Sequence, residues 1–165
     1  MTTTASAPPP VDLSFLLNQT SYALSAKLSS ALAGLGITVR EYCVLMKAAE
    51  AERTQNVIAE LAGLDKTTMV VTLDRLEHAG LAERRVSSSD RRARVIGVTA
   101  RGRKVLGRAY GVVADVYDEV LDPLPNSQRD ALVHALEVLA AGELASPSHV
   151  LQPARRRSPR APTSS

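Results

Sequence analysis

The stretch from Thr54 to Thr99, TQNVIAELAGLDKTTMVVTLDRLEHAGLAERRVSSSDRRARVIGVT, constrains this chain most, because its periodicity switches from helical to strand-like partway along. Ala59, Leu61 and Ala62 supply apolar positions of a short helix, and Gly63 follows where a helix C-terminus needs positive φ. Asp65 then stands at the N-cap of a second helix, where its carboxylate can accept from free first-turn N–H groups. That helix places Met69, Leu73 and Leu76 at i, i+4, i+7 on one face. Its other face carries Lys66, Thr67, Thr68, Val71, Asp74 and Arg75, and Gly80 ends it. Leu81–Val86 and Ala93–Thr99 have strand composition, with turn residues Ser87–Asp90 between them and charge concentrated over Asp90–Arg94.

A helix-turn-helix followed by a basic ribbon is suited to reading DNA. The major groove admits the second helix, and the ribbon reaches a neighbouring minor groove or the backbone. Charge distribution supports this more than net charge, which is only +3. Between Glu83 and Arg108, eight arginines and one lysine stand against two acids, Glu83 and Asp90. From Ala109 to Leu144, Arg129 alone stands against seven acids. A confined basic cluster is the footprint of a polyanion partner. Its rival is a merely solvated charged face, and the adjoining helix-turn-helix pattern weighs against that.

Residues 1–10 (MTTTASAPPP) and 145–165 (ASPSHVLQPARRRSPRAPTSS) have the composition of disordered tails, the second one basic. A first helix runs from near Asp12 to about Leu35 and is apolar enough to need burial beyond its own domain. Thr38–Val39–Arg40–Glu41 forms a capping box that opens a helix to about Glu50, with Val44, Leu45 and Ala48 facing inward. After the ribbon, Thr99 caps a helix to about Leu121 whose stripe is Val105, Ala109, Val112, Val113, Val116 and Val120. Asp122–Pro125 breaks it, and a last helix from Asn126 or Ser127 carries Leu132, Leu136 and Leu139 to near Leu144. The fold class is mainly α with a small β-hairpin wing (α+β). The long apolar terminal helices are best satisfied by pairing two copies into a homodimer. Its two reading heads would then face half-sites about 34 Å apart.

Several of these residues together resemble the MarR family of winged helix-turn-helix regulators: Leu61–Ala62, Leu73–Asp74–Arg75–Leu76–Glu77, Gly80–Leu81, Arg84 or Arg85, Asp90–Arg91–Arg92 and Val98–Thr99–Ala100–Arg101–Gly102. The resemblance spans about residues 11–144. It implies a winged helix-turn-helix over about 38–99, flanked by dimerisation helices at about 11–35 and 100–144. It also implies homodimeric binding to a double-stranded DNA operator, usually repressing, relieved by a small ligand or by cysteine oxidation. Carried over, the recognition helix is Lys66–Glu77, with Thr67, Thr68 and Val71 in the groove, Val70 beside them, and Lys66 and Arg75 on phosphates. The family often has polar or Arg side chains where this chain has Val70 and Val71. Valine packs on a thymine methyl rather than hydrogen-bonding a base edge. Arg92 of the wing would enter a minor groove, and Asp90 would orient an arginine or simply cap the turn. Arg84, Arg85, Arg91 and Arg94 are backbone contacts or solvated charges.

The family's ligand crevice would draw on Asn18, Tyr22, Tyr42, Cys43, Met46 and Tyr110, a lining suited to an aromatic or lipophilic compound; ordinary packing is the alternative for each. Cys43, the single cysteine, excludes an internal disulfide framework and fits a reducing cytosol. A redox switch through Cys43 would need a low-pKa thiol, and the charge of Glu41, two residues before it, opposes one. His78, His134 and His149 lack partners at metal-ligand spacing, so no metal and no cofactor are expected. No phosphate loop or nucleophile motif supports an enzyme. The chain shows no signal peptide and no long apolar run, which fits a cytoplasmic protein making no membrane contact. A further rival keeps the winged helix as a protein–protein module whose basic wing meets an acidic partner.

Overall fold

The computed structural model describes residues 11–142 and Leu144, and both tails fall outside them. In chain order the elements are α1 (Leu13–Ala33), α2 (Val39–Glu50), α3 (Gln55–Leu61), α4 (Lys66–His78), β1 (Ala82–Val86), β2 (Arg94–Val98), α5 (Ala100–Leu121) and α6 (Asn126–Ala141). They fall into two compact units, Met1–Leu121 and Asp122–Ser165.

In the first unit, local side-chain chemistry opens α1, α2, α4 and α5 near where the sequence places them. Asp12 accepts from Phe15 N at 2.9 Å and is the cap of α1 rather than its first residue. Thr38 and Glu41 close the capping box reciprocally, at 3.2 Å and 2.7 Å. Asp65 caps α4 through Thr68 N at 2.9 Å, and Thr99 caps α5 through Gly102 N at 2.9 Å. Such caps contribute about 1 kcal/mol each.

Helices α3 and α4 end alike. Gly63 (φ 63°) and Gly80 (φ 68°) take the left-handed conformation at C′. The next residue's N–H then returns to the third-last helical carbonyl, Leu64 N to Ala59 O at 2.8 Å and Leu81 N to Leu76 O at 2.9 Å. Both are tight stops that send the chain off at a defined angle, one into α4 and one into β1.

The core draws on every element of this unit. Leu32, Val44, Leu45, Ile58, Met69 and Leu73 are completely buried. Burying side chains of this size contributes about 1.5–3 kcal/mol each. Two expected faces are corrected. In α3 the buried pair is Ile58 and Ala59, while Leu61 is half exposed. In α5 the inner stripe is Leu106, Ala109, Val113 and Val116, so Val105, Val112 and Val120 flank it rather than form it.

The hairpin is antiparallel, with Ala82 opposite Val98, Arg84 opposite Ile96 and Val86 opposite Arg94. Its strands are shorter than their composition indicates, starting after Leu81 and after Ala93. Ile96 N also donates to Arg53 O at 3.0 Å, so the α2–α3 loop lies along the outer edge of β2. At the base of the hairpin, α5 approaches so closely that a Cβ on Gly102 would collide with the Leu81 carbonyl oxygen.

In the second unit, the Arg129 side chain closes the proline turn by donating to Leu124 O (2.7 Å) and Asp122 O (3.1 Å). Helix α6 ends at Ala141, short of the expected Leu144, and none of its residues is buried. Leu132, Leu136 and Leu139 form an open apolar ridge along it.

Candidate nucleic-acid interface

Helix α4 has a dry side and a wet side. Met69, Leu73 and Leu76 are buried to within 1%. Opposite them, Lys66, Thr67, Val70, Val71, Asp74 and Arg75 are exposed, Val71 at 55%. Thr72 turns inward and its hydroxyl donates to Thr68 O at 2.7 Å. The hydroxyl of Thr68 is committed to the Asp65 carboxylate at 2.6 Å, so this half-buried threonine offers no free donor. These hydrogen bonds hold the Asp65 carboxyl below its ordinary range. The exposed surface thus sets Thr67, Val70 and Val71 between Lys66 at one end and Asp74 and Arg75 at the other.

The arginines assigned to DNA in the sequence fall into two groups. Arg75 pairs with the buried Glu41 at 3.2 Å, tying α4 to the capping box of α2. Arg84 pairs with Asp74 at 2.9 Å and with Glu77, bridging β1 to α4. Arg85 pairs with Glu52 at 2.9 Å. These three scaffold the reading head. By contrast, Arg91, Arg92 and Arg94, like Lys66, are exposed and form no ion pair among the described residues. Asp90 is a turn cap, its carboxylate accepting from Arg92 N at 2.9 Å. It orients Arg92 through the backbone rather than by a side-chain pair.

Three contributors were not legible in the sequence as parts of this surface. Glu52 accepts four hydrogen bonds from the hairpin side, which depress its pKa, the Ser88 N–H first among them. Glu41, the capping-box acid, also holds Arg75. Arg40, next to Glu41, is exposed and shares a cavity with Thr67 and Arg75. Glu52 carries no motif, because its partners lie 33–36 residues away.

The six expected ligand residues are only partly gathered. Tyr42 of α2 and Tyr110 of α5 meet edge to face, ring centres 6.1 Å apart. Burial, with Tyr117 next in effect, pushes the Tyr42 phenol up to about 12. Cys43 and Met46 are half-buried against the core. Burial raises the Cys43 thiol, with Lys47 partly opposing it; the expected influence of Glu41 is not the cause. Asn18 and Tyr22 sit on the open side of α1, Tyr22 at 77% exposure. A cavity of about 700 Å³ contains none of the six and is lined mostly by polar residues, including Ser25 and Ser29 of α1, Arg40 and Glu41 of α2, and Thr67 and Arg75 of α4, with Val39 and Val71 among them. Among the described residues no group of three or more His, Cys, Asp or Glu is placed to hold a metal ion.

With this geometry in place, likeness to known proteins is specific. The sequence profile of the MarR family matches residues 35–93. A helix-turn-helix transcriptional repressor of Mycobacterium tuberculosis, Rv2887, is 32% identical over 130 residues, covering 78% of this chain and 94% of the repressor. The crystal structure of CouR from Rhodococcus jostii RHA1 bound to p-coumaroyl-CoA superposes with a TM-score of 0.74 at 29% identity, covering 82% of this chain and 96% of that one. CouR bound to a 23-mer DNA duplex gives a TM-score of 0.71 at 31% identity, over 78% and 92%.

Proposed function

This chain belongs to the MarR family of winged helix-turn-helix transcriptional regulators, and on that premise we propose that it is a repressor that binds an inverted-repeat operator as a homodimer and lets go when a small aromatic or lipophilic ligand binds. One observation carries the DNA reading. The exposed face of α4 stands beside a wing tip whose Arg91, Arg92 and Arg94 have no internal partner among the described residues, while nearby basic side chains do. Lys66 and the three wing arginines contact DNA, Arg92 in the minor groove. Thr67, Val70 and Val71 read thymine methyls by van der Waals contact. Arg75, Arg84 and Arg85 act as scaffold.

The dimer reading rests on open apolar surface at both ends of the chain. Phe15, Leu16 and Tyr22 on α1, and Leu132, Leu136 and Leu139 on α6, are exposed in their own units, and a second copy covers them. The domain is accordingly a winged helix-turn-helix at about 38–99 between two dimerisation segments. The effector reading rests on the Tyr42–Tyr110 pair, with Cys43 and Met46 behind it and Asn18 and Tyr22 completing the lining in the dimer. CouR, solved with p-coumaroyl-CoA, takes a ligand whose acyl group is of the same aromatic character. The polar cavity is a second candidate, because filling it would obstruct Thr67 and Arg75 of the reading face.

The raised Cys43 thiol lowers its thiolate fraction, which disfavours the redox alternative. Its named relative is a transcriptional repressor, and no catalytic role is proposed. No helix among the described residues is long and apolar enough to cross a membrane, in keeping with a proposed site of action in the cytoplasm.

A selection from random duplexes at two salt concentrations tests the proposal. Enrichment of an inverted repeat with half-sites about 34 Å apart, bound more weakly at higher salt, is the expected result. No enrichment from ligand-free protein would favour the protein–protein module instead.

A further inference from the structure

We propose that Glu52 is a positioning residue that sets the wing for DNA, although it lies outside both the helix-turn-helix and the hairpin. This inference rests on the DNA-binding reading above. Glu52 sits in the α2–α3 loop, along the outer edge of β2. Its Oε2 accepts from Ser88 N (3.1 Å), Ser88 Oγ (2.9 Å) and Ser87 Oγ (3.1 Å), and its Oε1 accepts from Arg85 Nη2 (2.9 Å). One carboxylate thus gathers the end of β1 and the start of the turn that carries Arg91 and Arg92.

A second observation points the same way. Arg85 belongs to β1, yet its acid lies beyond β2. Its side chain crosses over Gly97, where an added Cβ would stand 3.0 Å from Arg85 Nε and 3.1 Å from Cδ. The path to Glu52 is open because position 97 lacks a side chain. Successive residues of β1 point to opposite faces, so Arg84 fastens the other face of the strand to Asp74 and Glu77 of α4. The wing is pinned on both sides, and Glu52 is the pin nearest its tip.

The consequence runs against simple electrostatics. Glu52 is an acid on a surface assigned to a polyanion, so Coulomb's law alone expects its removal to strengthen DNA binding. Positioning expects the reverse. A tip already held in place loses less freedom on binding than a loose one, and only a held tip delivers Arg92 to one groove position.

The experiment uses the full chain and its selected duplex, with Glu52→Ala, Glu52→Gln and Ser88→Ala. Affinity is measured at three salt concentrations, base preference at the wing position by selection, and wing mobility by amide hydrogen exchange over residues 87–93. Glu52→Ala is expected to weaken operator binding about tenfold. It is also expected to flatten the wing-position base preference, accelerate exchange of the Ser88 N–H, and leave the salt slope unchanged because no phosphate contact is lost. Glu52→Gln keeps an acceptor and falls between wild type and Glu52→Ala, and Ser88→Ala costs about two- to threefold. Operator affinity equal to or tighter than wild type in Glu52→Ala overturns the proposal, whether or not exchange accelerates. A fall in affinity with unchanged exchange over residues 87–93 also overturns it, since the wing is then no looser without Glu52. If wild type itself enriches no duplex, the DNA reading fails first, and the exchange rates still show whether Glu52 holds the wing.

Discussion

Helix α4 and the hairpin that follows it are neighbours in sequence, but they are held by different forces. The helix is seated by Met69, Leu73 and Leu76, side chains with almost no solvent contact. The hairpin buries Ala82, Val95, Ile96 and Val98, but its β1 side chains Arg84 and Arg85, opposite Ile96 and Val95, are exposed enough to be tied by ion pairs, and the turn beyond them is held by the Glu52 cluster. Apolar burial is not screened by salt and tolerates no reorientation without a void. Ion pairs at a surface are directional, screened by salt and worth little individually. The difference suits their tasks. A reading helix must enter the groove at a fixed depth, whereas a wing must follow groove width, which varies with sequence.

Substitutions can break or sharpen that contrast. The largest effect is expected from Leu73→Ala, which should cost about 2–5 kcal/mol in chemical denaturation by leaving a cavity under α4; a cost below about 1 kcal/mol would mean that burial does not seat the helix. Gly102→Ala comes next. Its Cβ would push on the Leu81 carbonyl, where α4 hands over to β1, and a loss of about 1–3 kcal/mol should appear as a lower melting temperature.

Arg92→Ala should leave stability within about 0.5 kcal/mol while weakening operator binding about tenfold and reducing the salt slope by about 0.9. Arg85→Ala, removing a scaffold arginine, should leave that slope intact, and an equal change in both slopes would erase the division between scaffold and contact arginines. Asp65→Ala removes the cap of α4 and should cost about 1 kcal/mol by thermal melting.

The smallest effect is a pH dependence. The Asp65 and Glu52 carboxyls are depressed below their ordinary values of 3.8 and 4.5, each by hydrogen bonds to its charged form. Their contributions are therefore complete above those values and are lost as pH falls through the lower folded ones. The Ser88 amide resonance should accordingly hold its position down to about pH 4.5 and move only on further acidification, while the resonances of Leu73 and Leu76 stay in place.

Much of the fold was legible because its signals are local. A cap joins residues three apart, a helical stripe joins residues three or four apart, and a C′ glycine reports one backbone angle. Thr38 with Glu41, Asp65 with Thr68, and Gly63 each act within a single turn. The apolar face of α4 was readable for the same reason. Helix α3 was harder. It has only seven residues, too few for periodicity to choose between a face through Ile58 and one through Leu61, and packing made the choice.

By itself, then, the sequence determined where α2, α4 and α5 begin, which face of α4 is dry, and that a basic tip follows it. Tertiary structure alone decided which arginines are free. Arg84 and Arg85 look the same as Arg91 and Arg92 in a string of residues. They differ because β1 runs past Asp74 and Glu77 on one face and, across Gly97, past Glu52 on the other. A charged side chain several ångströms long takes whichever opposite charge the fold brings within reach, and that meeting is set by how distant segments pack, not by spacing along the chain.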